Sequence, residues 1–174
     1  MKWAAVIFFG LTAVFAGLCF GNCNWALPFA ITFGTCFYHF AMRLLVGHLL
    51  DRIMQNKADY RKARYQLQPF EVRLYRFIKV KKWKGKMPTY DPSCFDPKLH
   101  SWDEIAQAMC QAEIVHEVIV VFSFIPLFFA IPFGSFGVFL ITSLLAAMYD
   151  LCFVMMQRFN RPRILKILEK ERVG

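Results

Sequence analysis

The stretch FGVFLITSLLAAMYDLCFVMM, residues Phe136–Met156, decides the fold class of this chain. It contains a single charged side chain, Asp150. A helix of about 20 residues is roughly 30 Å long, which matches the hydrocarbon thickness of a bilayer. Soluble cores rarely contain an uninterrupted apolar run of this length. The stretch therefore predicts a membrane-spanning helix.

Three further apolar runs precede it: Trp3–Phe20, Trp25–Val46 and roughly Ile114–Ile131. The chain is 57% hydrophobic and only 19% charged, whereas soluble domains have about 25% charged residues. We therefore predict an all-α, polytopic integral membrane protein with about four transmembrane helices. The first run could also be a cleaved signal peptide, but a second span follows almost at once, which favours a retained helical hairpin.

The distribution of Lys and Arg predicts the orientation of these spans. Of the 21 basic residues, thirteen lie in Arg43–Lys86 and six lie from Arg158 onward, whereas the connections Gly21–Asn24 and Pro132–Ser135 contain none. Basic residues accumulate on the cytoplasmic side, so we predict a multi-pass protein of the cell membrane with both termini in the cytoplasm. The net charge of +9 then reflects topology and contact with anionic headgroups. No nucleic-acid-binding motif accompanies it.

We expect three sequential segments that form one functional unit. These are an N-terminal transmembrane hairpin (1–48), a basic cytoplasmic and interfacial segment (49–111), and a C-terminal transmembrane pair with an amphipathic interfacial helix (112–174). In the middle segment, Pro69–Pro88 mixes apolar and basic residues, a pattern typical of chain lying in the membrane interface. Ser101 with the glutamate three residues later predicts a capping box, which would start the helix leading into the third span.

The segment AEIVHE contains the first candidate catalytic residues. Glu113, His116 and Glu117 are spaced so that a helix places them on one face. Ionisable groups at membrane depth are costly and are often functional, so His116 is a candidate general base oriented by a carboxylate. A solvated helix end is the alternative. Glu-x-x-His also occurs in di-iron bundles, but the second motif that such a site needs is missing here, so we predict no metal.

Asp150 is the second candidate. An unpaired carboxylate in a membrane helix costs about 2.5–3.5 kcal/mol on insertion scales. Asp150 therefore needs a partner, and His116, an arginine and a metal all fit. A buried structural ion pair is equally compatible with the sequence.

The motif QRFNRPR, Gln157–Arg163, ends the fourth apolar run. Pro162 predicts that this span ends at Arg161 and that a new amphipathic helix begins with the proline. Several polar side chains would then cluster at the cytoplasmic mouth of the span: Gln157, Arg158, Asn160 and Arg161. Arginine binds phosphate and carboxylate bidentately. The motif is therefore either an anion-binding site or the basic collar of a membrane helix.

Three ordered motifs resemble those of the bacterial glycosyl-4,4'-diaponeurosporenoate acyltransferase family, from roughly Glu71 to Leu168. The first, Tyr/Phe-x-x-Ile-x-Val-x-x-Trp-Lys before a proline, is matched by Tyr75–Pro88. The second, Ala-Glu-x-x-His, is matched by Ala112–His116. The third, Gln-Arg-Tyr-Asn-Arg-Pro-Arg, is matched by QRFNRPR with Phe159 in place of tyrosine. The chain departs from the family pattern at position 150, where the family has asparagine.

The resemblance implies transfer of an acyl group from a thioester to a hydroxyl of a lipid-linked sugar, in the family the final acylation that yields staphyloxanthin. It implies His116 as the base, with Glu113 or Asp150 orienting it. It also implies a set of substrate-binding residues: Trp83, Lys84, Gln157, Arg158, Asn160, Arg161 and Arg163. The expected partners are membrane lipids, an acyl-CoA or acyl-carrier donor and a lipid-linked acceptor, without a further cofactor.

Two other functions stay open at this point. The chain could be a different lipid-modifying enzyme, such as a methyltransferase that uses the arginines to bind a cofactor carboxylate. It could also be a non-catalytic membrane scaffold or lipid-binding protein, in which the polar motifs are structural.

Overall fold

A computed structural model describes residues 1–88 and 91–173. This part of the chain is built from α-helices and short 3-10 helices, without a β-strand. The α-helices are α1 (Lys2–Phe20), α2 (Leu27–Met54), α3 (Pro69–Phe77), α4 (Val80–Trp83), α5 (Trp102–Phe122), α6 (Ala130–Phe133) and α7 (Phe136–Val173). The 3-10 helices are Asn24–Ala26, Ala63–Tyr65, Lys84–Lys86, Pro92–Phe95 and Ile125–Phe129.

Four helical segments are long and apolar enough to cross a membrane. They are Lys2–Phe20, Asn24–Met54, Trp102–Phe133 and Phe136–Arg172. The prediction of an all-α chain with about four such helices is therefore confirmed. The predicted capping box is also present before α5, because the Ser101 amide donates to Glu104 Oε2 at 2.8 Å and the Glu104 amide donates back to Ser101 Oγ at 3.3 Å.

The third apolar run is not one continuous α-helix, which corrects the prediction. The α-helix ends at Phe122, and the chain continues as the 3-10 helix Ile125–Phe129. Pro126 explains the change, because proline lacks an amide hydrogen and disfavours helical geometry in the residue before it. The hydroxyl of Tyr38 donates to the carbonyl oxygen of Phe122 at 2.8 Å and so satisfies one of the carbonyls that the end of the helix leaves open.

The predicted break at Arg161 is wrong, because α7 continues through Pro162 to Val173. The C-terminal residues are helical as expected, but they extend the fourth span instead of starting a new helix. Their apolar side is used within the protein. Ile164, Leu165 and Leu168 pack against a core cluster that also contains Tyr60, Tyr65, Ala106 and Cys110.

The described contacts divide the chain into two compact units. The first contains Met1–Leu49 and Val118–Tyr149, and the second contains Leu50–Glu117 and Asp150–Gly174. In the first unit, α1 packs on α2 through aromatic rings, with Phe8 stacked on Phe40 at 5.5 Å. Many large apolar side chains of this unit are exposed, a surface that suits lipid better than water. All of the predicted site residues belong to the second unit.

Candidate active site

His116 on α5 and Asp150 on α7 form a hydrogen-bonded pair. Nδ1 of the imidazole lies 2.9 Å from Oδ1 of Asp150. The Asp150 side chain is 1% exposed, whereas 23% of the His116 side chain is exposed. A carboxylate oxygen accepts a hydrogen bond, so an ionised Asp150 would keep the hydrogen of a neutral His116 ring on Nδ1 and leave the lone pair on Nε2. That tautomer is the one that a histidine base requires.

The ring of His116 is also held by Phe153, which follows Asp150 by three residues on α7. The two rings stack with centroids 4.5 Å apart and planes 7° apart. One turn of α7 therefore supplies both the hydrogen-bond acceptor and the packing surface. Of the partners that the sequence left open for Asp150, the structure places His116 beside it.

Glu113 has different surroundings, although it is one turn away from His116. Its side chain is fully buried, and its Oε1 accepts a hydrogen bond from Arg158 Nη1 at 2.6 Å. Its Oε2 accepts from Arg161 Nη2. Two guanidinium groups therefore balance the negative charge of this carboxylate, and a buried charge needs such partners. Of the two carboxylates proposed to orient His116, Asp150 makes the hydrogen bond, and Glu113 belongs to an arginine network.

Glu71 on α3 completes this network and was not among the predicted site residues. Nε and Nη2 of Arg158 donate to its two carboxylate oxygens, the latter at 2.8 Å. The Tyr75 hydroxyl donates to Oε1 at 2.9 Å, and the Gln68 amide donates to Oε2 at 2.7 Å. Gln68 and Glu71 have the three-residue spacing of a capping box, and this signal at the start of an amphipathic helix could have indicated the position.

These contacts determine the acidity of Glu71. Burial by itself would raise the pKa of the carboxyl, but the hydrogen bonds from Arg158, the Gln68 amide and Tyr75 outweigh it and hold the pKa below its usual range. For Tyr75, burial and the hydrogen bond to Glu71 raise the pKa of the phenol. Glu71 is therefore an ionised partner of Arg158 at neutral pH.

Backbone carbonyls occupy further donors of the two arginines. Arg158 Nη1 and Nη2 donate to the carbonyl oxygens of Arg64 and Gln66 at 2.8 and 3.0 Å. Arg161 Nη1 donates to the carbonyl of Tyr65 at 2.8 Å, and its guanidinium lies over the Tyr65 ring. Both side chains thus fasten α7 to the segment before α3. A substrate anion would have to displace these internal partners.

A second polar group surrounds the ring of Phe159. The ammonium of Lys84 lies 4.9 Å from the ring centroid and donates to Oδ1 of Asn160. The guanidinium of Arg163 lies 5.3 Å from the same centroid. Trp83, which precedes Lys84, donates its indole N–H to the carbonyl of Ile78 at 3.1 Å. The structure therefore brings together three of the predicted substrate-binding residues, Lys84, Asn160 and Arg163.

The motifs that surround these contacts identify the family. The chain matches the family described as glycosyl-4,4'-diaponeurosporenoate acyltransferase over residues 56–170. It belongs to this acyltransferase family. The resemblance predicted from the three motifs is thereby confirmed. No curated protein and no solved structure matches the chain.

The family match covers the whole of the site described above. Glu71, Lys84, His116, Asp150 and the QRFNRPR motif all lie within residues 56–170. Within the QRFNRPR motif of this acyltransferase, the ring of Phe159 lies beside two cations, Lys84 and Arg163. Among the residues that the structure describes, no group of three or more His, Cys, Asp or Glu side chains is placed to hold a metal ion.

Two further candidates lie apart from these contacts. Gln157 is buried, with 6% of its surface exposed, and stands between Asp150 and Arg161 on α7. Glu117 pairs with Arg64 at 2.5 Å, but both side chains are well exposed. An exposed pair of this kind stabilises a protein by less than about 1 kcal/mol.

Proposed function

We propose that this chain is a membrane acyltransferase that moves a fatty acyl group from a thioester donor to a hydroxyl of a glycosylated carotenoid or a similar glycolipid. Family membership supports acyl transfer in carotenoid biosynthesis. The four long apolar helices support a location in the cell membrane. The observation that carries the mechanism is the hydrogen bond between His116 and Asp150.

In the proposed reaction His116 is the general base and Asp150 its positioning residue. Nε2 takes the proton of the acceptor hydroxyl while the hydroxyl oxygen forms a bond to the thioester carbonyl carbon. The resulting tetrahedral intermediate collapses with cleavage of the carbon–sulfur bond. The imidazolium then returns the proton to the thiolate, so that the products are an ester and a free thiol. Asp150 holds Nδ1–H throughout and stabilises the imidazolium.

The acceptor would reach His116 and Asp150 from the bilayer, and the donor would reach them from the cytoplasm. His116 stands in the sequence just before the most apolar part of its span, IVVF, where an amphiphilic acceptor in the bilayer can present a headgroup hydroxyl. The basic segments predict a cytoplasmic side from which the donor would arrive. This arrangement requires both termini in the cytoplasm, which cysteine labelling from each side of the membrane would test.

The methyltransferase alternative receives less support from the geometry. It required the arginines of QRFNRPR to bind a cofactor carboxylate. Arg158 and Arg161 instead bind the carboxylates of Glu71 and Glu113 within the protein. We therefore propose acyl transfer alone.

The test is acyl transfer by membranes that contain the wild type, His116→Ala or His100→Ala. Labelled long-chain acyl-CoA and the lipid extract of the host would be supplied, and a new labelled glycolipid would be measured. We expect His116→Ala to lower the rate by about 10²–10⁴-fold, as loss of a general base does. His100 is a matched control because it is a partly exposed histidine outside the site, whose imidazole lies 3.7 Å from the carboxylate of Glu104.

Two results would count against the proposal. Equal product from the wild type and a folded His116→Ala protein would remove His116 as the base. No product from any of the three folded proteins, with donor and lipid in excess, would remove acyl-CoA as the donor and favour a scaffold role. Mass spectrometry of a positive band would identify the acceptor.

A further inference from the structure

The cations around the QRFNRPR motif fall into two groups with different partners. Arg158 and Arg161 are ion-paired with buried glutamates. Lys84 and Arg163 lie at the ring of Phe159. Among the residues that the structure describes, neither of these two cations forms an ion pair with a carboxylate. The motif therefore contributes two arginines to internal ion pairs, and a third, Arg163, to a separate pair of cations with Lys84.

Both cations of the second pair lie at the same aromatic ring. Ammonium and guanidinium groups are attracted to the face of an aromatic ring, and here one ring attracts both. The Asn160 amide oxygen fixes the Lys84 ammonium from another side. Burial lowers the pKa of Lys84 below its usual range, and the nearby charges of Arg163 and Lys81 lower it further. The two like charges repel each other, and an anion that binds both would relieve this repulsion.

We infer that Lys84 and Arg163, on the ring of Phe159, form a binding site for a phosphate group. An ammonium with two remaining donors and a planar guanidinium fork match the oxygens of a phosphate ester. The inference rests on the proposed function for the source of this phosphate, which is the acyl donor: acyl-CoA and acyl carriers both bear phosphate at the end of a pantetheine arm. An anionic lipid headgroup has the same chemistry and is the other source.

The position along α7 agrees with a donor of this kind. Asn160 is ten residues beyond Asp150, which is about 15 Å along a helix at 1.5 Å per residue. A phosphate at Lys84 and a thioester at His116 would thus be separated by a distance that an extended pantetheine arm can bridge. A phosphate site next to the base would not leave room for the arm.

The test uses the full chain in nanodiscs of phosphatidylcholine, with coenzyme A as the probe. Lys84→Met keeps the aliphatic stem over the ring and removes the charge, and Arg163→Gln removes the second charge. We expect each change to weaken coenzyme A binding by about tenfold or more, the usual effect of losing a charged hydrogen bond. Lys82→Met is the matched control, because Lys82 is exposed on the same turn, and it should bind like the wild type. Lys84→Arg should retain most of the affinity.

A second arm identifies the source of the phosphate. Nanodiscs with phosphatidylglycerol are compared with neutral ones by the thermal unfolding midpoint of the wild type and of both variants. If coenzyme A does not bind, but phosphatidylglycerol stabilises the wild type more than either variant, the site binds a lipid phosphate. If neither ligand distinguishes the variants from Lys82→Met, the phosphate site is refuted.

The experiment separates this inference from the proposed function. His116→Ala should bind coenzyme A with wild-type affinity, because His116 is not part of the phosphate site. Binding that depends on Lys84 and Arg163 without acyl transfer by the wild type would support the site and contradict the reaction.

Discussion

Asp150 and Glu113 are both buried carboxylates, but their contacts assign them to different tasks. Asp150 accepts the hydrogen bond of an imidazole that is partly exposed. Glu113 is enclosed by two guanidinium groups. We therefore expect a change at Asp150 to affect chiefly the rate of reaction, and a change at Glu113 to affect chiefly stability.

Two substitutions of Asp150 should distinguish the effect of its hydrogen bond, which orients His116, from the effect of its negative charge. In Asp150→Asn the amide oxygen can still accept a hydrogen bond from Nδ1–H, so we expect kcat within about tenfold of the wild type. Asp150→Ala removes the acceptor and should lower kcat by about 10²-fold or more with little change in KM. Steady-state kinetics on equally folded proteins would measure both. Equal losses in the two variants would contradict a positioning role.

Glu113→Gln should destabilise the protein by about 3–5 kcal/mol, because it leaves buried arginines without their shared counter-charge. Glu117→Gln, four residues later on the same helix, removes an exposed pair with Arg64 and should cost less than about 1 kcal/mol. Chemical unfolding in detergent micelles would measure the free energy of unfolding of both variants. Similar small losses would show that the network around Glu113 contributes little.

Glu71 should make the second unit sensitive to acid. Its folded pKa lies below the ordinary value of 4.5, so its contribution to stability is complete above that pH and is lost as the pH falls through the folded pKa. The difference in unfolding free energy between the wild type and Glu71→Gln should therefore be largest near neutral pH and shrink below about pH 4.5. Both proteins retain Glu113, so any contribution of Glu113 to the pH dependence of the unfolding free energy cancels in the difference. A pH-independent difference would contradict an ionised Glu71.

At the scale of elements, α7 shows how tertiary contacts override a local signal. Proline in a helix interior costs about 3 kcal/mol relative to alanine, yet α7 continues through Pro162. Arg158 and Arg161 anchor the residues before the proline, and Leu168 anchors those after it. Pro162 has no amide hydrogen to donate to the carbonyl of Arg158, and these contacts offset the loss of that hydrogen bond.

Pro162→Ala should consequently raise stability by as much as about 3 kcal/mol, because the carbonyl of Arg158 regains an amide donor. The unfolding free energy in micelles and the helix content by circular dichroism would measure this. A loss of stability would mean that α7 depends on the restricted backbone of proline at this position. The acyl-transfer rate of the same variant would show whether the local backbone also positions Asn160 and Arg163.

At the scale of the whole molecule, the family match separates two parts of the chain. It covers residues 56–170, so α1 and α2 lie outside it, whereas the whole candidate site lies inside. The apolar hairpin is determined mainly by length and hydrophobicity, which many sequences satisfy. The site depends on particular residues at particular spacings, and that is why three short motifs were enough to indicate the family.

The sequence alone determined the features that act over one or two helical turns. Long apolar runs predict spans because lipid cannot satisfy backbone polar groups, and the Ser101 capping box predicts where α5 begins. The need of Asp150 for a partner likewise follows from the residues around it. Only the tertiary structure decided that this partner includes His116, that Glu71 joins Arg158 across 87 residues, and that α7 passes through Pro162. Such pairings depend on the register of α7 against α5 and α3, which no local pattern encodes.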